Sequence, residues 1–167
     1  MSRLIAESKR TRRIVAQLDR GDDLEQALNE ICSAQQVRTA RLQISGVLGE
    51  AELVCYDDAL RIIEQPTRLQ GSLQLLLAVG TVSERKGAVD LRMNVVIARR
   101  SGGKTELWGG VCRRATVVSC EVFLDVMDDL LLRRGAGAGL DLQPWTDVFS
   151  ANQPHGRATE GGPAKPS

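Results

Sequence analysis

The chain has 167 residues, of which 43% are hydrophobic and 26% charged, and its formal charge is +1. A single domain of that size hides roughly 65–70% of its unfolded surface, so disorder is not the default and the core needs no disulfide or metal staples. Near-neutrality excludes a global field that would draw the whole molecule to nucleic acid or anionic membrane; such binding would need a local patch.

In chain order, SKRTRRIVAQLDRG (residues 8–21) predicts a strand whose basic start gives way to Ile14, Val15 and Leu18. Lys9, Arg10, Arg12 and Arg13 are the best candidates for phosphate contacts. Alternation sends Arg10 and Arg12 to one face and Lys9 and Arg13 to the other, which dilutes the patch, and an aromatic content of 3% leaves few platforms for stacked bases. GDDLEQALNEICSAQQ (21–36) predicts a helix with Asp22 as N-cap and Glu25 three residues on. Leu24, Leu28, Ile31 and Cys32 recur at helical spacing, so one face should pack on a sheet.

From Arg38 the period changes. VRTARLQISGVLGEAELVCYDD alternates and is broken by Gly46 and Gly49, predicting two strands with a turn or bulge between them. A short irregular or helical passage runs through Ile62 and Ile63 to Pro66. LQGSLQLLLAVGTVSE, DLRMNVVIAR, TELWGGVC and ATVVSCEVFLDVM then read as strands separated by ERKGA, RSGGK and the Arg113–Arg114 doublet. A short helical turn is expected before GAGAG. ANQPHGRATEGGPAKPS is rich in Pro and Gly, so residues 150–167 are expected to be a disordered tail behind a 1–149 domain. The fold class is α+β, an antiparallel sheet of about six to seven strands with flanking helices.

Within DLRMNVVIA, Leu91, Met93, Val95 and Ile97 line one face, while Arg92 and Asn94 share the other with Val96 and Ala98. A guanidinium and an amide on an apolar strand face mark a site, an interface or a wetted surface. Trp108 shares its face with Glu106 and Gly110; a tryptophan on a polar face points to subunit packing or to a ligand.

Little else carries chemistry. The only histidine, His155, lies in the tail, which works against imidazole-dependent catalysis. Cys32, Cys55, Cys112 and Cys120 match no metal-finger spacing and are expected to be reduced in a cytoplasmic protein. GAGAG and SGGKT resemble nucleotide-binding loops but lack their flanking pattern. Asp125, Asp128 and Asp129 are expected to cap a turn or face water. No cofactor is expected.

LDRGDDLEQALNEI, ISGVLGEAELVCYDD, GSLQLLLAVGTVSERKGAVDLRMNVVIA and LWGGVCRRATVVSCEVFL together resemble the plants-and-prokaryotes-conserved (PPC) domain, over residues 9–127. The domain occurs alone in bacteria and archaea and beside AT-hooks in plant nuclear proteins. The resemblance implies an antiparallel sheet assembled as a homotrimer. It also implies a metal site in many prokaryotic members, formed by an H-x-H pair and a third histidine after a Gly-Gly step. Laid on this chain, those positions are Arg92, Asn94 and Val111. The AT-hook core is missing from both termini. The expected protein is therefore a non-catalytic, metal-free interaction or regulatory scaffold with an unidentified protein partner and no membrane association. Two alternatives stand beside it: a binder of a small anionic molecule using Arg92, Asn94 and Trp108, and a DNA-associated protein using residues 9–13.

Overall fold

The computed structural model describes residues 4–57, 62–135 and 143–151. In chain order its elements are β1 (Thr11–Leu18), α1 (Leu24–Ala34), β2 (Ala40–Val54), β3 (Tyr56–Asp57), β4 (Ile62–Ile63), β5 (Thr67–Arg85), β6 (Ala88–Ser101), β7 (Lys104–Met127), β8 (Leu130–Arg134) and β9 (Trp145–Ser150).

Period-two alternation drives the long strands together. In β7 the buried residues are Ala115 and Val117, then, after a one-residue change of phase, Cys120, Val122, Leu124 and Val126. The phase changes at a bulge opposite β2, where Val47 pairs with Ser119 but Leu48 pairs with Val117. Gly46 makes this possible: its φ is +146° and a Cβ there would sit 2.2 Å from the Ser119 carbonyl oxygen.

Four strands close a circuit. β2 is paired antiparallel with both β5 and β7, and β6 is paired antiparallel with the same two strands. The seven-stranded sheet is therefore barrel-like, with β1 on β7 and the β8–β9 pair attached to β5. Its interior holds Leu42, Ile44, Leu48, Leu73, Leu75, Val95, Ile97 and Leu124, and α1 contributes Leu24, Leu28 and Cys32. Each leucine of this kind contributes about 1.5–3 kcal/mol through the apolar surface it removes from water.

Several expectations are corrected. Among the described residues α1 is the one helix, so the fold is predominantly β with no set of flanking helices. The N-cap is Asp23, whose carboxylate accepts from the Gln26 N–H at 3.0 Å, while Asp22 accepts from the Asp19 N–H. Of the turn or bulge expected at Gly46 and Gly49, the structure has bulges, and the chain on both sides of them is one strand, β2. β7 likewise continues through Arg113 and Arg114, with a register shift against β2 there, and Ile62–Ile63, where an irregular or helical passage was expected, pairs as a short strand with Tyr56–Asp57. The expected helical turn before GAGAG is strand β8, because Arg133 pairs in parallel with Glu84 of β5 and β9 covers the other edge. The tail and His155 lie outside the described residues apart from Ser150 and Ala151, as does most of GAGAG.

Candidate functional site

β6 lies between β5 and the first half of β7, so its outward residues meet outward residues of both neighbours. Thr81 pairs with Arg92, Val79 with Asn94, and Asn94 with Val111. On the other edge of β5, Arg41 of β2 pairs with Thr81. Arg92, Asn94 and Val111 consequently line one hollow of about 460 Å³ together with Arg41, Val79, Thr81 and Arg134. Gly80 is in the floor, and a Cβ on it would lie 1.9 Å from the Arg92 carbonyl oxygen.

A dense network orients the arginines. Asp90, whose side chain is 10% exposed, accepts from Arg85 Nε at 2.9 Å and Arg92 Nε at 3.2 Å, and its Oδ2 lies 3.4 Å from Arg134 Nε. Arg92 also donates to Gln143 Oε1 at 2.9 Å. Arg134 is 11% exposed and donates to the Ser83 hydroxyl, the Thr81 hydroxyl and the Gln143 carbonyl, with its guanidinium over the Trp145 ring. Burial first, and the charge of Arg92 second, push the Arg134 guanidinium below its usual value, while Asp90 acts in the opposite sense. A second hollow of about 340 Å³ adjoins the first through Arg92 and Val111 and is lined by Tyr56, Cys55, Cys112, Asp90 and Gln143.

Arg41, Asp90, Arg134 and Gln143 carry no signal in the sequence that singles them out. The hollow as built does not fit a divalent cation. Arg92 cannot lose its proton or offer a lone pair, Val111 has no donor atom, and Arg41 and Arg134 add two further positive charges. Among the described residues no group of three His, Cys, Asp or Glu side chains is placed to hold a metal.

Trp108 is elsewhere. The face it shares with Glu106 and Gly110, expected to be polar, is the inner one: Trp108 packs against the core, and Leu107 is presented outward at 67% exposure. Arg99 lies over the indole at 5.8 Å and donates to Glu106 at 2.6 Å, which holds that carboxyl below the usual glutamate range.

The basic strand is partly neutralised from within. Arg12 bonds Asp128 at 2.9 Å and Arg13 bonds Asp125 at 2.7 Å, across the β1–β7 ladder. Asp129 accepts from the Ser8 hydroxyl and then from the Lys9 N–H, both of which lower its pKa. Asp125 and Asp128 thus keep part of the exposure expected of them while pairing with the basic run, whereas Asp129 is buried. The Lys9 and Arg10 side chains remain exposed. Among the described residues no helix is long and apolar enough to cross a membrane.

Comparison with known proteins gives a consistent fold. A metal-containing protein from Archaeoglobus fulgidus superposes with a TM-score of 0.76 at 22% identity, covering 88% of this chain and 100% of the other. A plant- and prokaryote-conserved (PPC) protein from Pyrococcus horikoshii does so with 0.73 at 20% identity, covering 88% and 98%. A candidate DNA-binding protein from Ralstonia eutropha gives 0.69 at 19% identity, covering 78% and 88%. No curated protein matches the sequence. The Plants and Prokaryotes Conserved (PCC) domain, the PPC domain of the sequence resemblance, matches residues 5–128, and the chain belongs to that family.

Proposed function

We propose that this chain is a non-catalytic scaffold that assembles as a homotrimer in the cytoplasm and serves protein–protein interaction or regulation. The observation that carries the reading is an apolar stripe on the outer face of β5, β6 and β7. Leu77 pairs with Val96, Val96 with Gly109, and Ala98 with Leu107, so their side chains form one surface. Leu76, Leu77, Val96, Leu107 and Val111 are each more than a third exposed on it. Monomers rarely leave a contiguous patch of this kind in water. Two further copies of this chain are the occupant we assign, in keeping with the trimer that the family resemblance implies.

Sedimentation velocity tests this. Wild type should sediment as a trimer and Leu107→Asp as smaller species, because a carboxylate at the centre of an apolar contact loses its hydration without a partner. A wild type that remains monomeric at tens of micromolar refutes the assembly. DNA association is the second reading. It is supported by the exposed Lys9 and Arg10 and by the fold shared with a candidate DNA-binding protein. Duplex binding that does not weaken with added salt, or that survives Lys9→Gln with Arg10→Gln, would remove it.

A further inference from the structure

We propose that the hollow bounded by Arg41, Arg92, Asn94 and Arg134 binds a small oxyanion, a carboxylate or phosphate group carried by a small molecule. The lining explains the choice of charge. Among the described residues three arginines face the hollow and no carboxylate does; Asp90, which touches Arg92 and Arg134, lines the adjoining cleft instead. Asp90 is in turn shared with Arg85, so among the described residues this carboxylate is divided among three guanidiniums rather than committed to the two that line the hollow. Arg41 adds a further charge: among the described residues it has no ion-pair partner, and Asp125, opposite it in the β2–β7 ladder, is taken by Arg13.

Geometry supplies the second argument. Arg134 is fixed by Ser83, Thr81, Gln143 and Asp90, and Arg92 by Asp90 and Gln143, so an anion would meet guanidiniums whose side-chain entropy is already lost. The Thr81 hydroxyl accepts from Arg134 and keeps its own proton to donate, and Asn94 brings an amide N–H₂ to the same wall. Charge-assisted bonds of this kind are about twice as strong as neutral ones. An incoming anion would also relieve the mutual repulsion that Arg92 imposes on Arg134. A volume of about 460 Å³ suits a small molecule.

Isothermal titration of the full chain at low ionic strength, with citrate in one arm and inorganic phosphate in the other, tests the site. Saturable binding in either arm is expected; citrate alone identifies a carboxylate site, phosphate alone a phosphate site, and both a general oxyanion site. Arg41→Gln, at an exposed residue whose loss leaves the core intact, should weaken binding by about tenfold or more. Arg100→Gln, an exposed arginine farther along β6, should change it less than about twofold. No saturable heat in either arm, or equal loss in both variants, overturns the proposal; the second result would mean diffuse surface charge. Sedimentation of the same samples reports assembly separately, so failure of the trimer and failure of this site are told apart. Should Arg41→Gln alter assembly but not binding, the hollow belongs to the subunit contact and the oxyanion site is refuted.

Discussion

Gly80→Ala should damage both the barrel and the site behind which it lies. Gly80 pairs with Met93, and a Cβ would stand 1.9 Å from the Arg92 carbonyl oxygen, 2.9 Å from the Arg92 carbonyl carbon and 3.0 Å from Met93 Cα. These are backbone atoms and cannot rotate away. Relief requires β5 and β6 to part by about 1.5 Å, the shortfall from an ordinary van der Waals contact. A ladder hydrogen bond stretched that far is broken. Losing one or two such bonds at about 1 kcal/mol each, plus about 1–3 kcal/mol for overpacking, gives a destabilisation of about 3 kcal/mol. Urea unfolding followed by tryptophan fluorescence at fixed protein concentration measures it. Gly49→Ala is the control, since its nearest neighbour outside the chain flanks is 3.6 Å away, and it should change stability by less than about 1 kcal/mol. If the two variants unfold at the same urea concentration, the close-approach argument is wrong.

Asp90→Asn leaves Arg85, Arg92 and Arg134 without their shared charge and should cost about 3 kcal/mol, whereas Glu52→Gln, whose partner Arg68 is 74% exposed, should cost under about 1 kcal/mol; equal losses in urea melts would contradict the burial argument. Acid should destabilise the fold in a defined window. The hydrogen bond from Arg38, with a second from Arg133, holds the Glu84 carboxyl below its ordinary value, and Asp129 is held low by Ser8 and Lys9. Groups depressed in the folded state stabilise it fully above their unfolded pKa, near 4, and lose that contribution as pH falls through the lower folded value. The urea midpoint should hold from neutrality to about pH 5 and then drop, less steeply in Glu84→Gln, and an unchanged slope would refute the assignment. Burial pushes the Cys32 thiol up to about 11 and the Cys112 thiol up to about 12, and it raises Cys120 as well, whereas Cys55 is exposed. A thiol reagent at pH 8 should therefore label Cys55 alone until the protein is unfolded; rapid labelling of Cys112, read by peptide mass spectrometry, would contradict this.

What could be read from the sequence follows from how local each cause is. α1 was legible because its stripe of Leu24, Leu28 and Cys32 is a single-segment pattern, and the cap moved by one residue because Asp22 and Asp23 are chemically equivalent until the Gln26 N–H chooses between them. Gly46 signals an interruption, but glycine at a bulge and glycine at a turn look alike until the partner strand is known. β8 is composed of good helix formers, Leu130, Leu131, Leu132 and two arginines, and its extended form comes from Glu84 on β5 and from β9. Arg12 and Arg13 find Asp128 and Asp125 at separations of 116 and 112 residues, a pairing that no local pattern records.

The candidate site shows where this boundary falls. Alternation alone tells that Arg92 and Asn94 take one face of β6, and that Leu107 and Val111 take one face of β7. It cannot tell which side of a closed barrel is inside, so Trp108 is expected outward and is found inward. Nor does it tell which strands are neighbours. Arg41 reaches the hollow because β5 lies between β2 and β6 in a register that aligns Arg41, Thr81 and Arg92 in one row. Arg134 reaches it because β8 docks beside β5 through one parallel pair. A slip of one residue in β2 would turn the Arg41 side chain toward the core and place an apolar residue at the rim. The positive character of the hollow is thus a property of strand register. Its bulges and the close approach at Gly80 fix that register, which is why disturbing a glycine with no functional group of its own should disturb the arginines as well.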